Sequence, residues 1–387
     1  MKVPLLDLKP QYHSLKKELD EAVIRVAESQ YFIMGPELTS MEKAFCDYLG
    51  CKHAIGVSSG TDALLLALMA IDLKPGDEVI VPTYSFFATA GVVSRLNATP
   101  VLTDSDPLTF NMDPGDFERK ITKRTKAVIP VHLFGQSAEM EMIIEIAKAH
   151  KLMVIEDAAQ AIGTQFKDGR FVGTIGDIGC FSFFPSKNLG CYGDGGLITT
   201  NDDALAKKLV IKRVHGAEPK YYHKVIGGNF RLDALQAAVI KVKLPHLDKW
   251  SAKRRKNAEL YNKLFVSSNL SEAPGKTSFD NNNKVLLPKA VYENSGQKNH
   301  HIYNQYIIRV EKRDELRDFL TKNEIGTEIY YPVPFHLQEC FSDLNYKKGD
   351  FPVSEFSANT SLALPIYPEL SDEQIEYVVK TIHNFFS

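Results

Sequence analysis

Residues 178–200 read IGCFSFFPSKNLGCYGDGGLITT. Two apolar runs, IGCFSFF (178–184) and GGLITT (195–200), flank a turn that holds one lysine, Lys187; four glycines follow it, Gly190 and Gly193 in the turn and Gly195 and Gly196 opening the second run. Neither run alternates apolar with polar residues, and a continuous apolar strand is what a sheet covered on both faces requires. The segment therefore predicts a wound α/β domain with Lys187 on the connection between two of its strands. A solvated surface lysine needs neither the Pro-Ser before it nor the glycines after it. A lysine that bonds a ligand covalently, with glycines letting the backbone approach a flat ring, accounts for both.

Outward from this segment the same pattern repeats. HAIGV (53–57), EVIVP (78–82), TPVLTD (99–104), KAVIPVHLF (126–134) and LMVIED (152–157) are further strand candidates, separated by helical stretches. Before them, Leu15, Leu19, Val23 and Val26, then Leu38, Met41, Phe45, Tyr48 and Leu49, recur at helical spacing. QYFIMGPE (30–37) between these helices reads as an exposed apolar loop. After the sheet, residues 231–265 read as long helical sequence divided by Pro245. The Asn-rich stretch 278–299 is a loop. NQYIIRV (304–310), a helix near 312–323, TEIYYPV (327–333) and a closing helix at 371–386 make a small α+β unit. Two domains are expected, residues 1–245 and 246–387.

Composition narrows the function class. The 387 residues carry 46 Lys plus Arg against 48 Asp plus Glu, a net charge of −2, so no whole-molecule field draws nucleic acid or an anionic membrane. The basic run KWSAKRRK (249–256) reads as the solvated face of a helix. Five cysteines with no CxxC spacing leave one unpaired in any disulfide scheme, which favours a reducing compartment. No signal-peptide run and no stretch of about 18 apolar residues is present, so a cytoplasmic protein is expected.

Ligands of wound sheets bind beyond the carboxyl ends of the strands. GVSSGTDAL (56–64) leaves a strand and enters a helix there. Gly60 and Thr61 either offer free N–H groups to an anion or belong to a plain helix cap. VIEDAAQAIG (154–163) ends a buried strand in Glu156 and Asp157, with Gln160 following. Asp157 either caps the next helix or pairs with a buried cation. No Walker motif and no GxGxxG occurs, which argues against a nucleoside triphosphate or a dinucleotide. Aspartate, glutamine, serine (Ser182) and then lysine before a Gly-rich turn is the set a pyridoxal phosphate enzyme needs.

With SSGTDAL, VPTYSFFATA, VIEDAAQA, FSFFPSKNLGCYGDGG, RVHG and GGNFRLDALQAAV in order, the chain resembles the sugar aminotransferases of the DegT/DnrJ/EryC1/StrS family over nearly its full length. The resemblance implies the aspartate aminotransferase-like fold and pyridoxal 5'-phosphate as cofactor. It implies that Lys187 forms the Schiff base and moves protons, Asp157 binds the pyridine nitrogen, and Gln160 meets the ring hydroxyl. Phe86 would stack on the ring, while Gly60, Thr61 and Ser182 would hold the phosphate. Asn229 would reach it from the neighbouring subunit of a homodimer with shared active sites. The same resemblance implies L-glutamate as donor and a nucleotide-linked 3-keto sugar as acceptor, in lipid A or lipopolysaccharide synthesis.

UDP-2-acetamido-3-keto-glucose is the first expectation, with its uronic acid and dTDP-3-keto-6-deoxyhexoses as alternatives. Uronic-acid relatives carry His-Tyr-Pro where this chain has Tyr330-Tyr331-Pro332, which favours the neutral sugar. Tyr31, Met34, His215, Arg231, Tyr331 and His336 are candidate substrate contacts. Core packing competes as the reading for Tyr31 and Met34, a subunit interface for Arg231, and an ordinary loop role for His336. Tyr192 and Asp194 are expected to order the Lys187 loop without touching substrate. A nicotinamide-dependent sugar dehydrogenase and a non-catalytic sensor that binds the cofactor are the competing classes.

Overall fold

Pro10 and Pro36 each lie in the first turn of a helix, where a missing N–H costs nothing. They open α1 (Lys9–Ser29) and α2 (Pro36–Leu49) of the computed structural model, which describes residues 1–387. Leu15, Leu19, Ala22 and Val26 are the buried residues of α1, so Ala22 takes the inner position expected of Val23. Leu38, Met41, Phe45 and Leu49 form the inner stripe of α2.

Strands and helices then alternate. The order is β1 (His53–Val57), α3 (Gly60–Ala70), β2 (Glu78–Pro82), α4 (Ala88–Arg95), β3 (Thr99–Thr103), α5 (Pro114–Arg119) and β4 (Thr125–Val128). After them come α6 (Met140–His150), β5 (Met153–Asp157), β6 (Ile178–Ser182) and β7 (Gly196–Thr200). The seven strands make one sheet in the order β1-β7-β6-β5-β4-β2-β3. Only β7 runs against its neighbours, antiparallel to both β1 and β6, while the other pairings are parallel. β4 starts one residue before the expected KAVIPVHLF strand and stops three residues into it because Pro130 has no N–H to give a ladder.

Successive residues of a strand feed opposite cores, as the period of two demands. Ile80, Val154 and Leu197 face a core built with α1, α2, α6 and the later helix α8 (Ala234–Lys243). Val79, Val81, Ile155 and Ile198 face the other, under α3, α4 and α7 (Asp203–Arg213).

α8 (Ala234–Lys243) passes into α9 (Leu247–Ser267) through a single tight turn, Leu244–His246, centred on Pro245. The C-terminal part adds β8 (Tyr306–Arg309), α10 (Arg313–Lys322), α11 (Pro352–Thr360), β9 (Ser361–Leu364) and α12 (Asp372–Phe386). β8 pairs antiparallel with β9. TEIYYPV forms no strand: it contributes one bridge, Glu328 to Ala363, and the strand opposite β8 is Ser361–Leu364. Trp250 at the start of α9 packs into the first core and Phe265 near its end into a third, C-terminal one. Val3 joins that third core, while Phe335, Phe341 and Phe351 pack beneath α3 and α4. The packing therefore crosses the proposed division after residue 245 in both directions. No helix is long and apolar enough to cross a membrane.

Candidate active site

The strand ends converge on a cavity of about 440 Å³. Its walls include Ser59, Gly60 and Thr61 after β1, Ser85 and Phe86 after β2, Asp157 and Gln160 at β5, and Ser182 and Lys187 on the β6–β7 connection. Gln305, Tyr330 and Tyr331 close it from the C-terminal part. The sheet register puts Asp157 opposite Cys180 and Ser182 opposite Gly196, so acid, hydroxyl and lysine all project from one rim.

Asp157 is 4% exposed. Its Oδ2 accepts a hydrogen from the Thr89 hydroxyl at 2.8 Å and its Oδ1 accepts the Ala159 N–H at 3.2 Å. Burial pushes its pKa up, and these two bonds with the Lys187 charge oppose that rise. Lys187 is the complement. Burial brings its pKa down from 10.5 to about 8, with the charge of Asp157 pulling the other way. An amine so placed is deprotonated far more readily than a surface lysine, as nucleophilic attack on a carbonyl requires.

One end of the cavity is built by the start of α3. Ser59 caps it, accepting the Asp62 N–H at 3.0 Å, so its hydroxyl is committed to the helix. The N–H groups of Gly60 and Thr61 precede the first intrahelical bond and are left for an anion. A Cβ on Gly60 would stand 2.7 Å from the Ser182 Cβ, so only glycine lets the helix start this close to β6. Phe86, a 56% exposed residue, lines the cavity. The Gln160 amide is fixed at both ends: Oε1 accepts the Phe134 N–H at 2.7 Å and Nε2 donates to the Tyr331 hydroxyl at 2.9 Å. A cradle for an anion at one end, an amine and a buried acid at the other, and an aromatic face between them fit pyridoxal 5'-phosphate.

The structure therefore brings together Lys187, Asp157, Gly60, Thr61, Phe86, Gln160, Ser182 and Tyr331. Asp194, expected to order the loop only, lines the cavity as well. The other candidates lie outside its walls. Asn229 and His215 are on exposed backbone after α7. Tyr31 is 66% exposed on the α1–α2 loop, and Met34 packs on the first core. Arg231 pairs its backbone with Val57, and its buried Nε has no partner. His336 is buried and its ring nitrogens are occupied, Nδ1 with Thr83 Oγ1 and Nε2 with Glu355 Oε1, both at 3.0 Å. It ties β2 to α11 and is spoken for by protein. Thr89, Ser59, Gln305 and Tyr330 were not foreseen. Thr89 lies three residues past Phe86 in VPTYSFFATA, where a hydroxyl one helical turn along was the available signal.

The family model for DegT/DnrJ/EryC1/StrS aminotransferases matches residues 13–383. The chain is 49% identical over its whole length to a "pleiotropic regulatory protein" of Geobacillus stearothermophilus, covering 99% of that protein. It is 41% identical, over 98% of itself and 97% of the relative, to a UDP-N-acetyl-3-dehydro-α-D-glucosamine 3-aminotransferase of Acidithiobacillus ferrooxidans. Among solved structures, S. venezuelae DesV in complex with a ketimine intermediate superposes with a TM-score of 0.90 at 39% identity, covering 99% of this chain and 98% of that one. NtdA of Bacillus subtilis, solved with bound cofactor PMP, superposes at 0.87 with 31% identity, over 99% of this chain and 85% of its own.

Proposed function

The chain belongs to the DegT/DnrJ/EryC1/StrS aminotransferase family, and on that premise we propose that it moves an amino group from L-glutamate to C3 of a nucleotide-linked 3-ketohexose. UDP-2-acetamido-2-deoxy-3-keto-glucose is the acceptor we favour, with pyridoxal 5'-phosphate as cofactor. The observation that carries the reading is an amine with its pKa lowered to about 8 sharing one cavity with a buried carboxylate.

The bound cofactor supplies an electron-accepting ring and a carbon that carries the amino group between donor and acceptor. The chain supplies the rest. Asp157 offers the counter-charge that keeps a ring nitrogen protonated. Lys187 holds the cofactor covalently and, once freed, takes the proton from the donor's α-carbon. Gly60, Thr61 and Ser182 hold the phosphate, Phe86 covers a ring face, and the Gln160 amide meets the ring hydroxyl.

Lys187 is the only cation in the walls. That scarcity of cations supports a homodimer, since a donor with two carboxylates and a nucleotide diphosphate need cations from elsewhere. Tyr330-Tyr331-Pro332, where uronic-acid relatives carry His-Tyr-Pro, favours a neutral sugar over its uronic acid. The exposed Tyr31, Ile33, Tyr222 and Ile226, on the two loops that carry Met34 and lead to Asn229, support burial against a second copy. A lipid A or lipopolysaccharide sugar as the end product is part of the same proposal.

The test begins with colour. The purified protein is expected to be yellow with cofactor, to bleach on L-glutamate, and to regain colour with the UDP-3-keto sugar. Lys187→Ala should abolish the chromophore, and its persistence would refute the covalent role. Product analysis against the 4-keto isomer, the uronic acid and dTDP-linked 3-keto sugars reads the acceptor directly. The name of the 49% identical relative favours one second reading, a sensor that binds the cofactor without turnover. Colour that glutamate and acceptor leave unchanged identifies it.

A further inference from the structure

A second lysine is buried under the loop that carries the first. Lys243, in the last turn of α8, is 6% exposed. Its Nζ donates to the Gly190 carbonyl at 2.6 Å and stands 4.9 Å from the centre of the Tyr192 ring. It makes no ion pair, and burial brings its pKa down to about 8. A buried ammonium without an acid beside it is costly, and an apolar side chain of the same length would suit that core better. What the ammonium serves is the backbone three residues past Lys187.

The backbone there has little freedom to serve itself. A Cβ on Gly190 would fall 2.4 Å from the Pro185 carbonyl oxygen, so the turn folds back on its own start. Gly190 is buried, and its carbonyl needs a donor. Seven residues earlier on the same face of α8, Gln236 Oε1 accepts the Tyr192 N–H at 2.8 Å. One helix thus holds residues 190 and 192, while Asn188 Nδ2 donates to the Ile302 carbonyl at 3.0 Å. Lys187 precedes these three pins directly.

We propose that Lys243 is a positioning residue for Lys187: its ammonium fixes the Gly190 carbonyl and so sets the turn that aims the reactive amine into the cavity. The proposal rests on the role given to Lys187 above. Tyr192, whose ring face covers the ammonium, is part of the same device through a cation–π contact.

Two measurements on the full-length protein test it. Trace acetylation of the cofactor-free chain, mapped by mass spectrometry, gives the reactivity of Lys187 against the surface lysines as internal references. Spectrophotometric titration gives the affinity for pyridoxal phosphate. Lys243→Met should change Lys187 acetylation by about fivefold or more and weaken the affinity about tenfold, with the surface lysines unaltered, because small misplacements of a reacting group are costly. Lys243→Arg, which keeps a cationic donor, should restore part of both. If Lys243→Met does not fold, Lys243→Gln is read by the same two numbers. Wild-type values for both in a folded variant, or a uniform change across all lysines, overturn the proposal. Failure of the Lys187 reading shows separately, as a wild-type chromophore that survives Lys187→Ala, and the acetylation map of the free chain still judges Lys243.

Discussion

Thr89 gives its hydroxyl hydrogen to Asp157 Oδ2 at 2.8 Å, linking the first turn of α4 to the tip of β5. That bond and the Ala159 N–H oppose the upward push that burial exerts on the Asp157 pKa. Ser85 Oγ lies 3.0 Å from the Thr89 hydroxyl, so the residue before Phe86 belongs to the same chain of contacts.

Thr89→Val keeps the shape and removes the donor. A hydrogen bond to a charged group is worth about 1.5–3 kcal/mol. The variant should therefore hold pyridoxal phosphate at least tenfold more weakly, and Thr89→Ser should recover most of the loss. Equal affinities for the Val and Ser variants would show that the bond does not support the carboxylate. Spectrophotometric titration decides it.

Lys187 makes the stability of the cofactor-free protein depend on pH. With its folded pKa lowered to about 8 from 10.5, the unfolded chain binds more protons between those values. Stability therefore rises with pH through that window, and below about pH 8 the full penalty, on the order of 3 kcal/mol, applies. Urea unfolding of the cofactor-free protein from pH 7 to pH 10.5 should show this gain together with a similar one from Lys243, whose pKa burial also brings down to about 8, and Lys187→Met should lose the Lys187 part and so show a shallower rise. Parallel slopes in the two proteins would contradict the assignment.

Gly60→Ala places a methyl group 2.7 Å from the Ser182 Cβ. Either α3 or β6 must yield, at a cost of about 1–3 kcal/mol for overpacking. Because the same contact shapes the anion cradle, affinity for inorganic phosphate and for the cofactor should fall together, by about tenfold or more. Calorimetry with each ligand checks this, and a drop for the cofactor alone would place its phosphate elsewhere.

Glu156 should matter for folding rather than for the cavity. Its Oε1 accepts the Ile175 and Gly176 N–H groups at 2.7 and 2.6 Å, and its Oε2 meets the Gly173 N–H at 2.7 Å and His132 Nε2 at 2.9 Å. Glu156→Ala strands four donors, the three N–H groups and His132 Nε2, whose Nδ1 already accepts the Ala138 N–H, a loss of about 3–5 kcal/mol. Chromophore per folded molecule should stay at the wild-type level. Urea midpoints combined with absorbance separate the two effects.

The sheet and the lysine were legible because the residues that make them are consecutive. Unbroken apolar runs announce strands buried on both faces, and a Pro-Ser-Lys turn rich in glycine has few ordinary explanations. Asp157 could be picked out because a carboxylate ending such a run demands a partner. Gln305 and Tyr330 reach the cavity only when the C-terminal part docks; nothing local in NQYIIRV marks the first, and the second stood out only where Tyr330-Tyr331-Pro332 departs from His-Tyr-Pro. His336 misled for the converse reason. A histidine after Pro-Val-Pro looks available for substrate, and only tertiary packing reveals Thr83 and Glu355 on its two nitrogens. The strand at Ser361–Leu364 escaped notice because four residues bounded by a helix carry too little pattern to stand out.

The reversed strand β7 also imposes an order of events on synthesis. β1, which leads into the Gly60 cradle, borders the sheet and has β7 as its sole strand partner. A nascent chain must therefore keep its first strand unpaired until residues 196–200 leave the ribosome, on the order of ten seconds later at roughly 5–20 residues per second. A message truncated before that point yields a polypeptide with no anion cradle at all, whatever cofactor surrounds it.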